Sequence, residues 1–262
     1  MADVDFTYAT GALWVVAFVA YAIRVRRFGA FHSARVDSVG GTAIMGETIM
    51  QATYWAGGPI VRGLVAIGFT AHGVTTLALV LGIGAGIATA CGWFGLACLL
   101  ATISTVADIR DGQVARLTNS GSNVGELYDA VVDRYTEFGF IAGFIVFAHG
   151  SPWMVAIALL ALQSSYMISY ASAKAEALEV SVPRGLMRRH ERAAILIIGA
   201  GVTPILGPIV AEKFAIPATS VFAVGLALVG VIGGFAGVLR FFWIRRALRE
   251  RDAALPATRR AA

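Results

Sequence analysis

The residues that could do chemistry lie in residues 108–133. The segment reads Asp108-Ile109-Arg110-Asp111-Gly112-Gln113-Val114-Ala115-Arg116, then eight residues, then Gly125-Glu126-Leu127-Tyr128-Asp129-Ala130-Val131-Val132-Asp133. As a pattern this is DxxDGxxAR, the gap, and GxxxDxxxD. Asp108 and Asp111 are three apart and Asp129 and Asp133 four apart, so on helices each pair shares a face. Two helix ends facing each other bring these four carboxylates into one small volume. Their repulsion calls for cations, and hard divalent cations prefer oxygen ligands. Gly112 leaves room beside the acids for a backbone or a ligand, and Arg116 offers a planar cation suited to phosphate. The plain alternative is a pair of polar helix ends with solvated acids. It is disfavoured because the acids lie between apolar segments, where charge is costly.

Apolar elements must position these acids. Of the 262 residues 58% are hydrophobic and only 14% charged, against roughly 25% charged in a soluble domain. Mean hydropathy is +0.75. The composition predicts an all-α polytopic membrane bundle. Spans are expected at 6–23, 74–90, 93–108, 126–148, 153–173, 193–210 and 217–239. Between the first two, Ile44, Met45, Thr48, Ile49, Ala52 and Trp55 fall at helical spacing with Glu47 and Gln51 opposite, which predicts an interfacial helix. Gly57-Gly58-Pro59 predicts a break after it, and 117–124 a turn-rich connection. Residues 1–41 then hold one span and a basic connector, 42–242 a membrane domain, and 243–262 a basic tail, frayed from 253. In this arrangement only Lys213 of the 21 Lys and Arg falls outside. The acids therefore face the cytoplasm. The net charge of +5 marks inner loops rather than nucleic-acid binding, since no basic stripe with interleaved aromatics appears.

The acid pattern resembles the signature of the CDP-alcohol phosphotransferase (CDP-alcohol phosphatidyltransferase) family, with every fixed position filled and the gap of the expected length. The resemblance implies six core membrane helices after an interfacial helix, the first span being an addition, and a homodimer. It implies that Asp108, Asp111 and Asp129 hold two Mg²⁺ or Mn²⁺ ions, and that Asp133 completes the cluster or acts as general base. It places Asp108, Asp111, Gly112, Ala115, Arg116 and Gly125 around CDP. The implied reaction moves a phosphatidyl-type group from a CDP-linked lipid such as CDP-diacylglycerol to a polar alcohol, releasing CMP. There is one departure. Where many members have Pro then Asn or Asp, this chain has Ala71-His72 ahead of Gly73-Val74-Thr75.

The stretches 169–176 and 185–192 resemble those of prokaryotic members that use inositol phosphate. A phosphorylated acceptor needs cations of its own, and Arg134, Arg188 and Arg192 are placed to supply them, with Arg189 between the last two. Arg188 and Arg192 are four apart and share a helix face. Simple anchoring of the loop to anionic headgroups is the plain reading of these arginines, and glycerol phosphate or another alcohol is the other acceptor. The rival class is an ion-coupled transporter. Inverted repeats and broken helices at mid-depth would favour it, and no clear repeat is present. The histidines, His32, His72, His149 and His190, lack zinc spacing and read as loop or interfacial residues. Cys91 and Cys98 read as packing residues, and Ser164-Ser165 as an interhelical contact.

Overall fold

The computed structural model describes residues 2–33, 36–37, 46–183 and 185–254. Among these residues eight long helices follow one another and no strand occurs: α1 (Asp3–Phe28), α2 (Glu47–Ala66), α3 (Ala71–Ala90), α4 (Phe94–Leu117), α5 (Asn123–Phe147), α6 (Pro152–Ala177), α7 (Arg189–Phe214) and α8 (Ser220–Ala254). Five of them, α1, α3, α6, α7 and α8, are long and apolar enough to cross a membrane. α4 and α5 are of similar length but carry the charged motif along part of theirs. The protein is an all-α polytopic membrane bundle with a six-helix core, α3–α8, preceded by α1 and α2.

Small residues let the core helices close on one another, since packing rather than a hydrophobic force holds helices together in lipid. At the α3–α5 crossing a Cβ on Gly86 would strike the Gly139 carbonyl, and one on Gly143 the Gly86 carbonyl. Away from the acids a phenyl cluster fills the centre: Phe94, Phe140 and Phe144 lie 5.0–5.8 Å from Phe222, ring centre to ring centre. Ser164 on α6 donates to the Gly230 carbonyl of α8 at 2.7 Å, the interhelical contact expected of it. α1 is clipped onto the core at one end, where the Asp3 carboxylate accepts from the Gly95 and Leu96 amides at the start of α4 (2.9 and 3.0 Å). A carboxylate there satisfies orphan donors and meets the positive end of the helix dipole.

Three expectations change. The break at Gly57-Gly58-Pro59 does not occur, and α2 runs through it. Pro59 removes one helix donor, but tertiary packing holds the segment: Gly57 lies directly over the Arg110 guanidinium of α4, and Arg110 Nη2 donates to the Thr53 carbonyl at 2.7 Å. Gln51 is buried rather than outward, because its amide bridges the Ser33 amide and Asp37 Oδ1 (2.9 and 2.8 Å). Ile44 and Met45 of the expected interfacial stripe lie outside the described residues. Finally, α8 does not stop near 239. No Gly or Pro falls between Val238 and Ala254, so the basic stretch from Arg240 to Arg251 continues the same helix. Of the tail expected to fray, 255–262 lie outside the described residues.

Candidate active site

The acids are not at facing helix ends. α4 continues past Asp111 to Leu117, and Asp129 and Asp133 sit one to three turns inside α5. The turn between the helices ends on Ser122, whose Oγ accepts from the Gly125 amide (3.1 Å) and starts α5. α3 packs against both α4 and α5, and with this turn it sets their two acidic faces toward one another. One carboxylate oxygen each from Asp108, Asp111 and Asp129 lie within 4.8 Å of one another. Thr75 at the start of α3 donates to Asp111 Oδ2 at 2.7 Å, and the Gly112 amide donates to Oδ1. Asp129 Oδ1 is buried with no hydrogen-bond partner. A buried carboxylate oxygen with no protein partner, beside two more carboxylates, suits a cation. These three residues therefore fit a divalent ion held by oxygen ligands. Asp133 is not one of the three. It is buried against Arg189, and Arg134 Nη1 is 3.8 Å from its Oδ2.

A cavity of about 710 Å³ opens beside the trio. Asp111, Gly112, Ala115, Arg116 and Gly125, five of the residues expected around CDP, line it together with Asp129, whereas Asp108 is not on its wall. Its volume falls within the range of small-molecule and cofactor sites. A side chain at Gly112 would come within 3.4 Å of Arg116 Nη1 and narrow the space. His72 also lines the wall, which corrects its reading as a loop residue. It stacks on Tyr128 at 5.6 Å, and the Tyr128 hydroxyl lies 2.9 Å from Thr76 Oγ1. The unusual Ala71-His72 entry still starts a helix, because Thr70 caps it through the Gly73 amide (3.1 Å).

The arginines divide the work differently from the sequence expectation. Arg189, the first residue of α7, forks onto both oxygens of Asp108 (2.7 and 2.9 Å) and also pairs with Asp133. Arg192 is 1% exposed. Its Nε and Nη2 bind Glu137 at 2.7 and 2.8 Å, and its Nη1 the Met187 carbonyl at 2.8 Å. The acceptor contact expected of Arg192 is corrected by this burial: the side chain is spent inside the bundle. Arg188 precedes α7, with its amide donating to Glu191 Oε2 at 2.9 Å. Arg189 and Arg192, three apart, both reach acids of α5. Sequence reasoning passed over Thr75, Tyr128 and Glu137 as site residues and gave Arg189 no role of its own. Glu137 did leave a signal, since it continues the spacing of Asp129 and Asp133 by another four residues.

Fold and site together define a polytopic membrane protein that gathers a half-buried carboxylate trio at the edge of a cavity large enough for a small-molecule ligand. Residues 68–232 match the CDP-alcohol phosphatidyltransferase family, and the chain belongs to that family. Among its relatives is the phosphatidylinositol phosphate synthase of Corynebacterium glutamicum, 33% identical over 139 residues, which are 51% of this chain and 64% of that one. The Mycobacterium marinum enzyme of the same name is 32% identical over 61% of this chain and 69% of its own. The matched part thus spans about two thirds of these relatives' lengths. Crystal structures of the Mycobacterium tuberculosis phosphatidylinositol phosphate synthase share the fold. One has CDP-DAG bound (TM-score 0.61, 27% identity, 71% of this chain and 92% of that one). Another is in complex with manganese and citrate (TM-score 0.62, 26% identity, 71% and 88%).

Proposed function

We propose that the protein transfers a phosphatidyl group from CDP-diacylglycerol to inositol phosphate and releases CMP, in a cell membrane and on its cytoplasmic side. The observation that carries this reading is the carboxylate trio at the edge of a cavity lined by Gly112, Ala115, Arg116 and Gly125. The names of its relatives and the CDP-DAG bound to one of them agree with it. Asp108, Asp111 and Asp129 would hold two Mg²⁺ or Mn²⁺ ions. Bound there, such ions neutralise a pyrophosphate and stabilise the attacking and leaving oxygens of an in-line displacement.

The chain's own residues do the rest. Thr75 fixes the Asp111 carboxylate. Arg116, whose guanidinium lies beside Gly112 in the cavity lining, offsets phosphate charge, and its planar fork suits phosphate oxygens. Asp133, outside the trio, is the group left to take the proton from the acceptor hydroxyl. Arg189 and Arg134, each about a third exposed, offer the cations that a phosphorylated acceptor requires. The excess of basic residues on the motif's side supports a cytoplasmic site, and a homodimer follows the family expectation. Purified protein with CDP-diacylglycerol, Mg²⁺ and a panel of acceptors tests the reading: inositol phosphate should release CMP fastest. If glycerol phosphate does so instead, the acceptor assignment falls, and if no alcohol does, the transferase reading falls.

A further inference from the structure

A second cavity, of about 390 Å³, shares no lining residue with the first. On α3, Val74 lines the second and Thr75 the first; on α4, Ala107 and Arg110 line the second, Asp111 and Gly112 the first. The buried cluster of Val61, Val74 and Val114 closes the seam between the two helices. The rest of the wall is almost wholly apolar, with Trp14 and Ala17 on α1, Ala52 and Ala56 on α2, Leu77 on α3 and Ile103 on α4. α1 is pinned near its ends, by Asp3 on the α4 amides and by Tyr21 against Trp55 of α2 at 5.8 Å. Between Thr10 and Tyr21 no residue of α1 is buried. The slot is therefore bounded by a helix that the bilayer surrounds. Arg110 is the one charged residue on its wall, and it is 2% exposed. Its Nη2 donates to the Thr53 carbonyl at 2.7 Å and its Nη1 to Gln113 Oε1 at 3.3 Å, while Nε has no hydrogen-bond partner. All 16 Asp and Glu of the chain lie among the described residues, and none forms an ion pair with Arg110. A buried guanidinium held by neutral acceptors alone is costly, and an anion relieves that cost.

We infer that this slot binds a fatty acid anion, with the carboxylate on Arg110 and the chain between α1 and the core. The volume lies in the range of small-molecule sites. Its one charge stands at one end, because the α4 wall runs from Arg110 to Thr102, about 12 Å of helix. That length suits a single chain of medium size. A carboxylate matches the planar guanidinium, and charge-assisted bonds of this kind are strong. The head must also be small. Gly57 lies so close over the Arg110 guanidinium that a Cβ there would strike it, and the side chain is shut off from water. A phospholipid brings a second chain and a headgroup that needs water, and neither fits this end of the slot. A neutral lipid offers the guanidinium no charge. If Arg110 served only to clamp α2 to α4, its bond to the Thr53 carbonyl would suffice, and an apolar slot ending on its bare Nε would have no purpose. The site is separate from the carboxylate trio, so the inference goes beyond the proposed reaction and does not rest on it.

Trp14 on the slot wall supplies the readout. The full chain in phosphatidylcholine nanodiscs, without donor or metal, is titrated at mildly alkaline pH with decanoate brominated near its methyl end. Bromine should quench Trp14 saturably, and the signal is assigned by its loss in Trp14→Phe. The alcohol of the same brominated chain should bind about 10–100-fold more weakly, the value of a hydrogen bond to a charged group. Arg110→Gln should lower decanoate affinity by a similar factor and leave that of the alcohol unchanged. Ala17→Phe, which keeps Arg110 and fills the slot from α1, should abolish the saturable quenching by both. If Arg110→Gln does not fold, the comparison of acid with alcohol on the wild-type protein still decides. Equal affinity for acid and alcohol overturns the inference and makes the slot a resting place for a phospholipid chain of the bilayer. Quenching that never saturates overturns it too, as does a folded Arg110→Gln that binds decanoate like wild type, since Arg110 is then only a clamp. With no donor or metal present, none of these results bears on the proposed transfer reaction, and failure of that reaction leaves this site untouched.

Discussion

Arg192 is the sharpest place to separate a binding arginine from a structural one. Arg192 and Glu137 are 1% and 9% exposed and share two hydrogen bonds of 2.7 and 2.8 Å. Replacing Arg192 by Gln leaves a carboxylate buried without its cation. Removing one partner of such a pair costs about 3–5 kcal/mol. In a protein of this size that corresponds to a fall of about 6–20 °C in the unfolding midpoint. Removing both charges together, as in Glu137→Leu with Arg192→Met, eliminates the stranded ion and should restore most of the loss, because apolar replacement of a buried pair is often neutral. Thermal unfolding in one fixed detergent gives the four corners of the cycle, and the coupling is read from the double variant. The acceptor KM of the double variant should stay near the wild-type value. The reasoning is refuted if Arg192→Gln leaves the midpoint unchanged and raises the acceptor KM alone, since Arg192 would then face the substrate.

Four further outcomes follow from the same geometry. Asp129→Asn removes the bare oxygen of the trio and should abolish both turnover and Mn²⁺ binding measured by calorimetry, with the unfolding midpoint retained. Thr75→Val removes the 2.7 Å bond that orients Asp111 and should weaken Mn²⁺ binding roughly 10–100-fold, the usual range for a ligand-orienting partner. Gly57→Leu places a side chain where the Arg110 guanidinium lies; it should destabilise the protein by about 1–3 kcal/mol, and a protease should cut α2 sooner than in wild type. In a Cys91→Ala background, Ser120→Cys should react with an impermeant thiol reagent only from the cytoplasm and Glu212→Cys only from outside, and the opposite pattern would place the cavity on the wrong side of the membrane.

The sequence by itself determined the class of fold and which helices carry the carboxylates that gather at the site. Apolar runs of span length leave helices as the only membrane-crossing structure available to such segments. The spacing of Asp108, Asp111, Asp129 and Asp133 sets which acids share a helix face. Such periodic signals are local, and the eight helices and the trio appear where they point. Tertiary structure decided what each charge is paired with. Nothing local distinguishes Arg189 from Arg192. The rotation of α7 against α5 aims one at Asp108 and Asp133 and the other at Glu137. The same holds for Asp133, which is spaced like a metal ligand but is claimed by an arginine 56 positions later in the chain. Gly57-Gly58-Pro59 reads as a break because propensity is local, yet it stays helical because the Arg110 guanidinium fits only beneath a residue without a Cβ. Helix periodicity fixes a face, but the partner of that face comes from a distant part of the chain, and only packing selects it.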